Sequence, residues 1–255
     1  MNRRMLLGLA ASGVLVEILG PMADALSTRS VTDLQAKVLF FDGFTVWDPR
    51  PVSTLVQEFF PGKGAAISAA WRSRQFEYNW LRIAMGKYAD FWQVTQDALT
   101  FAVAQEHVEL SAEKRDRLMN AFLQLKAWPD AKEALKTLKQ RGLKLAFLSN
   151  LTPKMLEANI DSAGLQNLFD DLLSTDALQT YKPDPRAYQM GMDRFKLRDK
   201  REAVFVAFGG WDAAGAKSFG YPTFWNNRLK LPVEELGVRP DAIGDDLLAL
   251  VKFLS

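Results

Sequence analysis

Four places in this chain put a reactive side chain at the end of, or just after, a short apolar run. Asp42 follows the run 37–41, and Ser149 and Asn150 follow the run 143–148. Lys182 lies in the loop after the run 171–174, and Asp212 comes after the run 203–208. An acid, a hydroxyl with an amide, an amine and a second acid are thus spaced along the chain in that order. The rest of the inventory narrows the chemistry they could do. The chain has no Cys and a single His, His107. Thiol nucleophiles, disulfides and Cys/His zinc sites are excluded. Catalysis must be built from carboxylates, lysine, arginine, hydroxyls and backbone amides. Taken singly, each residue also has a structural reading: Asp42 as a turn acid, Lys182 as a surface lysine, Ser149 and Asn150 as turn formers, Asp212 as a helix cap. Their joint order favours one shared crevice.

The elements that must bring them together are legible in the same pattern. The runs 37–41, 143–148, 171–174, 203–208 and 222–225 read as strands. Segments 131–141 and 153–163 read as helices stopped by Gly142 and Gly164, 183–195 as a helix with proline in its first turn, and a further helix starts at Asp212. Alternating strands and helices predict an α/β fold: a Rossmann-like parallel sheet with helices on both faces. In such sheets ligands bind beyond the carboxyl ends of the strands, where these reactive residues fall. From 51 to 127 the pattern is helical, with Trp71, Gln75, Tyr78, Arg82 and Met85 at helical spacing. The expected organisation is a core of residues 36–50 plus 128–255 with a helical cap, 51–127, inserted after the first strand. Arg72 lies on an aromatic-rich helix of that cap, where it either snorkels over packed rings or reaches the crevice.

Composition sets the outer bounds. With 255 residues, 48% hydrophobic and 24% charged, the chain is an ordinary globular one with ample material for a core. Net charge is only +2 and no long basic run occurs, so a nucleic-acid partner has no electrostatic support. Residues 1–25 read as a secretory signal: Arg3 and Arg4, an apolar stretch, then Ala23-Asp24-Ala25 before a cleavage point, with a weak twin-arginine character. Glu17 interrupts the stretch, so it is not a spanning helix. The expectation is a periplasmic protein, free of the membrane after processing. Without a working signal the chain would be cytoplasmic.

Five stretches carry a more specific resemblance. They are Phe40-Phe41-Asp42-Gly43-Phe44-Thr45, Trp71-Arg72 through Tyr78-Asn79-Trp80-Leu81-Arg82, and Leu148-Ser149-Asn150. Tyr181-Lys182-Pro183-Asp184 with Arg186 and Tyr188, and Trp211-Asp212-Ala213-Ala214-Gly215-Ala216, complete them. In these the chain resembles the haloacid dehalogenase superfamily, and within it the type II L-2-haloacid dehalogenases, over about residues 36 to 254. The resemblance implies that Asp42 is the nucleophile, displacing halide from C2 of a small 2-haloacid to form an ester. Lys182 would keep Asp42 ionised and oriented, with Tyr188 in support. Arg72 would reach the halide and the substrate carboxylate. Thr45, Ser149 and the loop amides near Phe44 would hold that carboxylate, with Asn150 and Phe91 on the halide side and Trp211 in the binding wall. Asp212 would help activate the water that hydrolyses the ester. No metal or other cofactor is implied, and a homodimer is suggested by analogy.

The chain departs from that family at two places. The nucleophile loop is Asp42-Gly43-Phe44-Thr45, one residue short of the usual Asp-x-aromatic-Gly-Thr, and Gly43 is expected to supply the lost backbone freedom. A Ser and an Asn usual before Trp211 are replaced by Ala207 and Gly209. Two rival readings stand beside dehalogenation. A magnesium-dependent phosphatase would need an acid two residues after the nucleophile, where Phe44 stands. A non-catalytic scaffold binding small carboxylates would explain the missing Ser and Asn.

Overall fold

Val38-Leu39-Phe40-Phe41 is apolar at every position, as a strand covered on both faces must be. All four residues are buried. This strand, β1 (Val38–Phe41), sits in the middle of a six-stranded sheet in a computed structural model that describes residues 34–255. The signal predicted for residues 1–25 lies outside the described residues.

After β1 the chain forms one helical turn, α1 (Gly43–Val46), and a two-residue strand, β2 (Trp47–Asp48). Four helices follow: α2 (Arg50–Phe59), α3 (Gly64–Ala84), α4 (Phe91–Gln105) and α5 (Ala112–Ala121). The chain returns through β3 (Lys126–Ala127), which pairs antiparallel with β2. A ribbon of two residues per strand is too short to leave a sequence pattern, so the stretch reads as helical throughout. Beyond it the chain alternates through α6 (Ala131–Gln140), β4 (Lys144–Ser149), α7 (Pro153–Ala163), β5 (Asp171–Ser174), α8 (Pro185–Phe195) and β6 (Ala203–Ala207). It ends with α9 (Gly210–Phe219), β7 (Thr223–Asn226), β8 (Ala242–Gly244) and α10 (Leu247–Phe253).

The sheet order is β5-β4-β1-β6-β7-β8 and every pair is parallel. The chain builds outward from β1 to β4 and β5 on one side, then returns to add β6, β7 and β8 on the other. The order reverses at β1, and that reversal opens a crevice at the carboxyl ends of β1, β4 and β6. Alternation along β1 splits the core in two. Leu39 and Phe41 join one cluster with the inserted helices, while Val38 and Phe40 join the other with Tyr188, Phe205 and Tyr221.

Three boundaries differ from the sequence reading. Helix α8 begins at Pro185, because Asp184 caps it by accepting the Arg186 N–H, after a cis Lys182–Pro183 peptide bond. Helix α9 begins at Gly210, so Asp212 is an internal residue of its first turn, not its cap. The run around Thr223 is not the last strand: β8 pairs beyond β7. Its three residues, none fully buried, carry no alternation that the sequence could display.

Candidate active site

The Asp42 carboxylate is placed by its own turn. Asp42 caps α1, its Oδ2 accepting the Phe44 N–H at 3.2 Å, and the Thr45 hydroxyl donates to the Asp42 carbonyl at 2.6 Å. Thr45 is wholly buried beneath the nucleophile turn and is not part of the cavity wall. The structure thus gives it a positioning contact with Asp42 in place of the expected contact with a substrate carboxylate. Gly43 is also used differently from the expectation. It does not take a positive φ. A Cβ there would lie 2.7 Å from Leu151 Cδ1 and 3.4 Å from Ser149 Oγ, so glycine permits the turn to sit against the end of β4.

Behind Asp42 lies a chain of buried ionisable groups. Lys182 is fully buried, and its Nζ stands 3.2 Å from Asp42 Oδ1 and 2.6 Å from Asp212 Oδ2. Tyr188, also buried, donates to Asp212 Oδ1 at 2.8 Å. Tyr188 therefore supports Lys182 through Asp212 and does not reach the cavity. The lysine is fixed from its backbone as well. Its N–H donates to Asn150 Oδ1 at 2.9 Å, and the Trp80 indole of α3 donates to its carbonyl at 3.2 Å. Its ammonium stacks over the Phe205 ring at 5.0 Å.

The charges follow from this arrangement. Burial disfavours the Lys182 ammonium, but Asp212 and Asp42 outweigh it and hold its pKa above the ordinary lysine value. Burial lifts Asp212 to about 6; the Lys182 charge opposes that rise and the Asp42 charge adds to it. Burial, reinforced by Asp212, pushes the Tyr188 hydroxyl well above its usual range.

In front of Asp42 a cavity of about 150 Å³ opens at the sheet's carboxyl edge. Of the residues expected from sequence, Asp42, Phe44, Arg72, Phe91, Ser149, Asn150 and Trp211 line it. Arg72 has no acidic partner among the described residues, and the surrounding walls disfavour its charge and lower its pKa. An unpaired guanidinium facing a cavity is an anion receptor. Ser149 Oγ accepts the Leu151 N–H at 3.2 Å, which leaves its proton to donate elsewhere. Asn150 Oδ1 is occupied by Lys182 N–H and the Thr175 hydroxyl.

The wall also contains residues that sequence reading did not single out: Phe76, Leu151, Phe208, Gly210, Leu231 and Glu234. Phe76 lies one helical turn beyond Arg72, and that spacing could have found it. Leu231 and Glu234 come from the loop after β7, which bears no motif. Gly209 and Gly210 make the wall unusually close to its neighbours. A Cβ on Gly209 would fall 2.7 Å from Trp211 Nε1, and one on Gly210 2.8 Å from Glu234 Cγ. The Trp211 indole and the Glu234 side chain occupy the room that larger residues at 209 and 210 would take.

Comparison with known proteins agrees with this geometry. The haloacid dehalogenase-like hydrolase family pattern matches residues 40–220. The (S)-2-haloacid dehalogenase of Pseudomonas sp. (strain YL) is 42% identical over 85% of this chain and 93% of its own. The haloacetate dehalogenase H-2 of Moraxella sp. (strain B) is 37% identical over 80% of this chain and 92% of its own. Among solved structures, the L-2-haloacid dehalogenase from Xanthobacter autotrophicus with chloropropionic acid covalently bound superposes with a TM-score of 0.80. It is 31% identical and spans 86% of this chain and 98% of its own. With the family pattern matched over most of the chain and relatives this similar along nearly their whole length, the chain belongs to the haloacid dehalogenase-like hydrolases.

Proposed function

We propose that the protein hydrolyses small L-2-haloalkanoic acids to 2-hydroxy acids through an ester on Asp42, without a metal. The observation that carries this reading is the Asp42 carboxylate at the wall of a small cavity, 3.2 Å from a fully buried Lys182 ammonium, with Arg72, which has no acidic partner among the described residues, lining the same cavity. A free carboxylate is a weak nucleophile in water, so it must be held partly desolvated and in line. Its Phe44 N–H and Lys182 contacts do this while the cavity leaves it approachable.

In the first step an Asp42 oxygen forms a bond to C2 of the substrate. The carbon–halogen bond breaks with its electron pair on the halide, inverting C2. Arg72 holds the departing anion, with Ser149 and Asn150 as further donors and Phe91 and Trp211 shaping the wall. In the second step water attacks the carboxyl carbon of Asp42, and the ester oxygen leaves with the product as its hydroxyl. Asp212, pushed up to about 6 by burial, is ionised at neutral pH and takes up a proton from the Lys182 ammonium bonded to it, which is replaced by one from the attacking water. On collapse that proton returns along the same path to the leaving ester oxygen, and the proton left on the Asp42 carboxyl is released to solvent. Phe44 stands where a phosphatase of this fold would need an acid, and its ring packs edge to face on Phe208 at 5.9 Å.

The test is halide release from L- and D-2-chloropropionate with EDTA present, with Asp42→Asn beside the wild type. Release from the L-form alone, lost in the variant, is expected. No release from either form would overturn the reading in favour of a carboxylate-binding scaffold. We further propose that residues 1–25 direct export to the periplasm. The chain purified from that compartment is then expected to begin at Leu26 by mass, and recovery only of full-length cytoplasmic protein would reject the proposal.

A further inference from the structure

The wall of the catalytic cavity carries one charged side chain that the reaction above does not use, Glu234. We propose that Glu234 is a specificity-determining residue that confines the site to monocarboxylates by repelling any substrate with a second negative charge; this rests on the dehalogenase reading above.

The balance of charges is the first argument. Among the residues that line the cavity Arg72 is the single cation, against two acids, Asp42 and Glu234. The Lys182 charge lies behind Asp42 and is already shared between Asp42 and Asp212. Arg72 can balance the carboxylate of one substrate. A second carboxylate on that substrate has no cation left to meet, and the rings of Phe44, Phe76, Phe91 and Trp211 cannot replace the water it would lose.

The placement of Glu234 is the second argument. Its carboxylate has no cationic or hydrogen-bonding partner among the described residues, whereas its neighbour Glu235 pairs with Arg239 at 3.8 Å. The loop that carries it is nevertheless fixed. Asn227 bonds both backbone groups of Leu231, its Nδ2 donating to the carbonyl at 2.8 Å and its Oδ1 accepting the N–H at 2.9 Å. Val233 packs against the buried cluster that holds Tyr188 and Phe205. Glu234 then lies over the first residue of α9, with its Cγ 2.8 Å and its Oε1 3.3 Å from where a Cβ on Gly210 would stand. A carboxylate is well placed beside this positive end of a helix. Glu234 is also exposed, so its charge stands where the cavity opens to solvent.

The experiment compares kcat/KM for L-2-bromosuccinate, a dianion, with that for its distal amide, L-2-bromo-3-carbamoylpropionate, which has nearly the same shape and a single charge. L-2-bromopropionate is the reference substrate. Wild type, Glu234→Gln and Glu234→Asp are measured at low and high salt. The wild type is expected to prefer the amide about tenfold more strongly than Glu234→Gln does at low salt, and Glu234→Asp to keep the preference. Salt at about 1 M, where the Debye length is about 3 Å, should erase most of that difference. A preference for shape would not respond to salt, and a competing salt anion cancels in the ratio. Where either turnover is too slow to follow, the inhibition constants of the two compounds against bromopropionate give the same comparison. An equal amide-to-succinate ratio in wild type and Glu234→Gln overturns the proposal. So does a difference between them that is the same at both salt concentrations. Either result, with bromopropionate turned over, leaves the dehalogenase intact. No halide from bromopropionate in the wild type removes both.

Discussion

At the scale of single residues, the site depends on one proton shared among neighbours. Asp212 has no solvent of its own: Lys182 and Tyr188 take its two oxygens at 2.6 and 2.8 Å. Its pKa of about 6 lies above the ordinary carboxyl value, so it is ionised above that pH and protonated below it. A base must be ionised to act. The hydrolysis step, followed as single-turnover decay of the ester, is therefore expected to lose rate as pH falls through about 6, with an apparent pKa that belongs to the Asp42–Lys182–Asp212 group as a whole. The Tyr188 hydrogen bond lowers the Asp212 pKa. Tyr188→Phe should then move the acid limb to higher pH and cost about 1–3 kcal/mol of stability from the unsatisfied carboxylate oxygen. A limb that stays in place would show that Asp212 is not the titrating base.

At the scale of elements, the decisive contacts are close approaches between helices and strand ends. Helix α9 passes α8 with Gly215 facing the Lys182 loop: a Cβ there would stand 2.5 Å from the Tyr188 hydroxyl and 2.6 Å from Pro183 Cβ. Gly215→Ala would force apart the two elements that hold Lys182 and Tyr188. Overpacking of this kind costs about 1–3 kcal/mol, and here it also displaces the lysine's support. Urea unfolding should show the loss, and the rate of halide release should drop with it. Full stability together with full activity in that variant would mean that α8 and α9 have more room than these distances allow.

At the scale of the molecule, the inserted helices are joined to the core by specific bonds at several points. Tyr88, between α3 and α4, donates to Asp176 at 2.6 Å, and Tyr181 donates to the Ala89 carbonyl. Where the chain re-enters the core, Asp130 accepts two hydrogen bonds from Arg228, at 2.8 and 2.9 Å, and one from Leu247 N–H at 2.8 Å. Arg228 in turn donates to the Thr45 carbonyl at 3.1 Å, tying this junction to the nucleophile turn. Burial opposes the Asp130 charge, but Arg228 and the Leu247 amide outweigh it and hold its carboxyl below the ordinary value. A depressed carboxyl stabilises the fold above its unfolded pKa and loses that contribution as pH falls through the folded one. Asp130→Asn is expected to lower stability by about 2 kcal/mol at pH 7. Denaturation midpoints of variant and wild type should converge below about pH 4. A constant gap across that range would point to packing, not charge.

The order of apolar runs and helical segments sufficed to specify five of the six sheet strands, the insertion, the strand ends that bear Asp42, Ser149 and Asn150, and the helix start that bears Asp212. Strand ends are readable because burial on both faces demands an unbroken apolar run, and the first polar residue after it marks the edge of the sheet. The resemblance carried by Trp71-Arg72 and Tyr181-Lys182-Pro183 added the roles expected of the arginine and the lysine. What depended on folding was depth and direction. Thr45 and Tyr188 carry the same hydroxyl as residues that could touch a substrate, yet packing turned one beneath the nucleophile and the other behind Asp212. Phe208, Leu231 and Glu234 entered the wall because a loop and a strand end distant in sequence meet there. Local pattern encodes which face of an element is buried; which buried atom meets which depends on how the elements pack, and no periodicity records that.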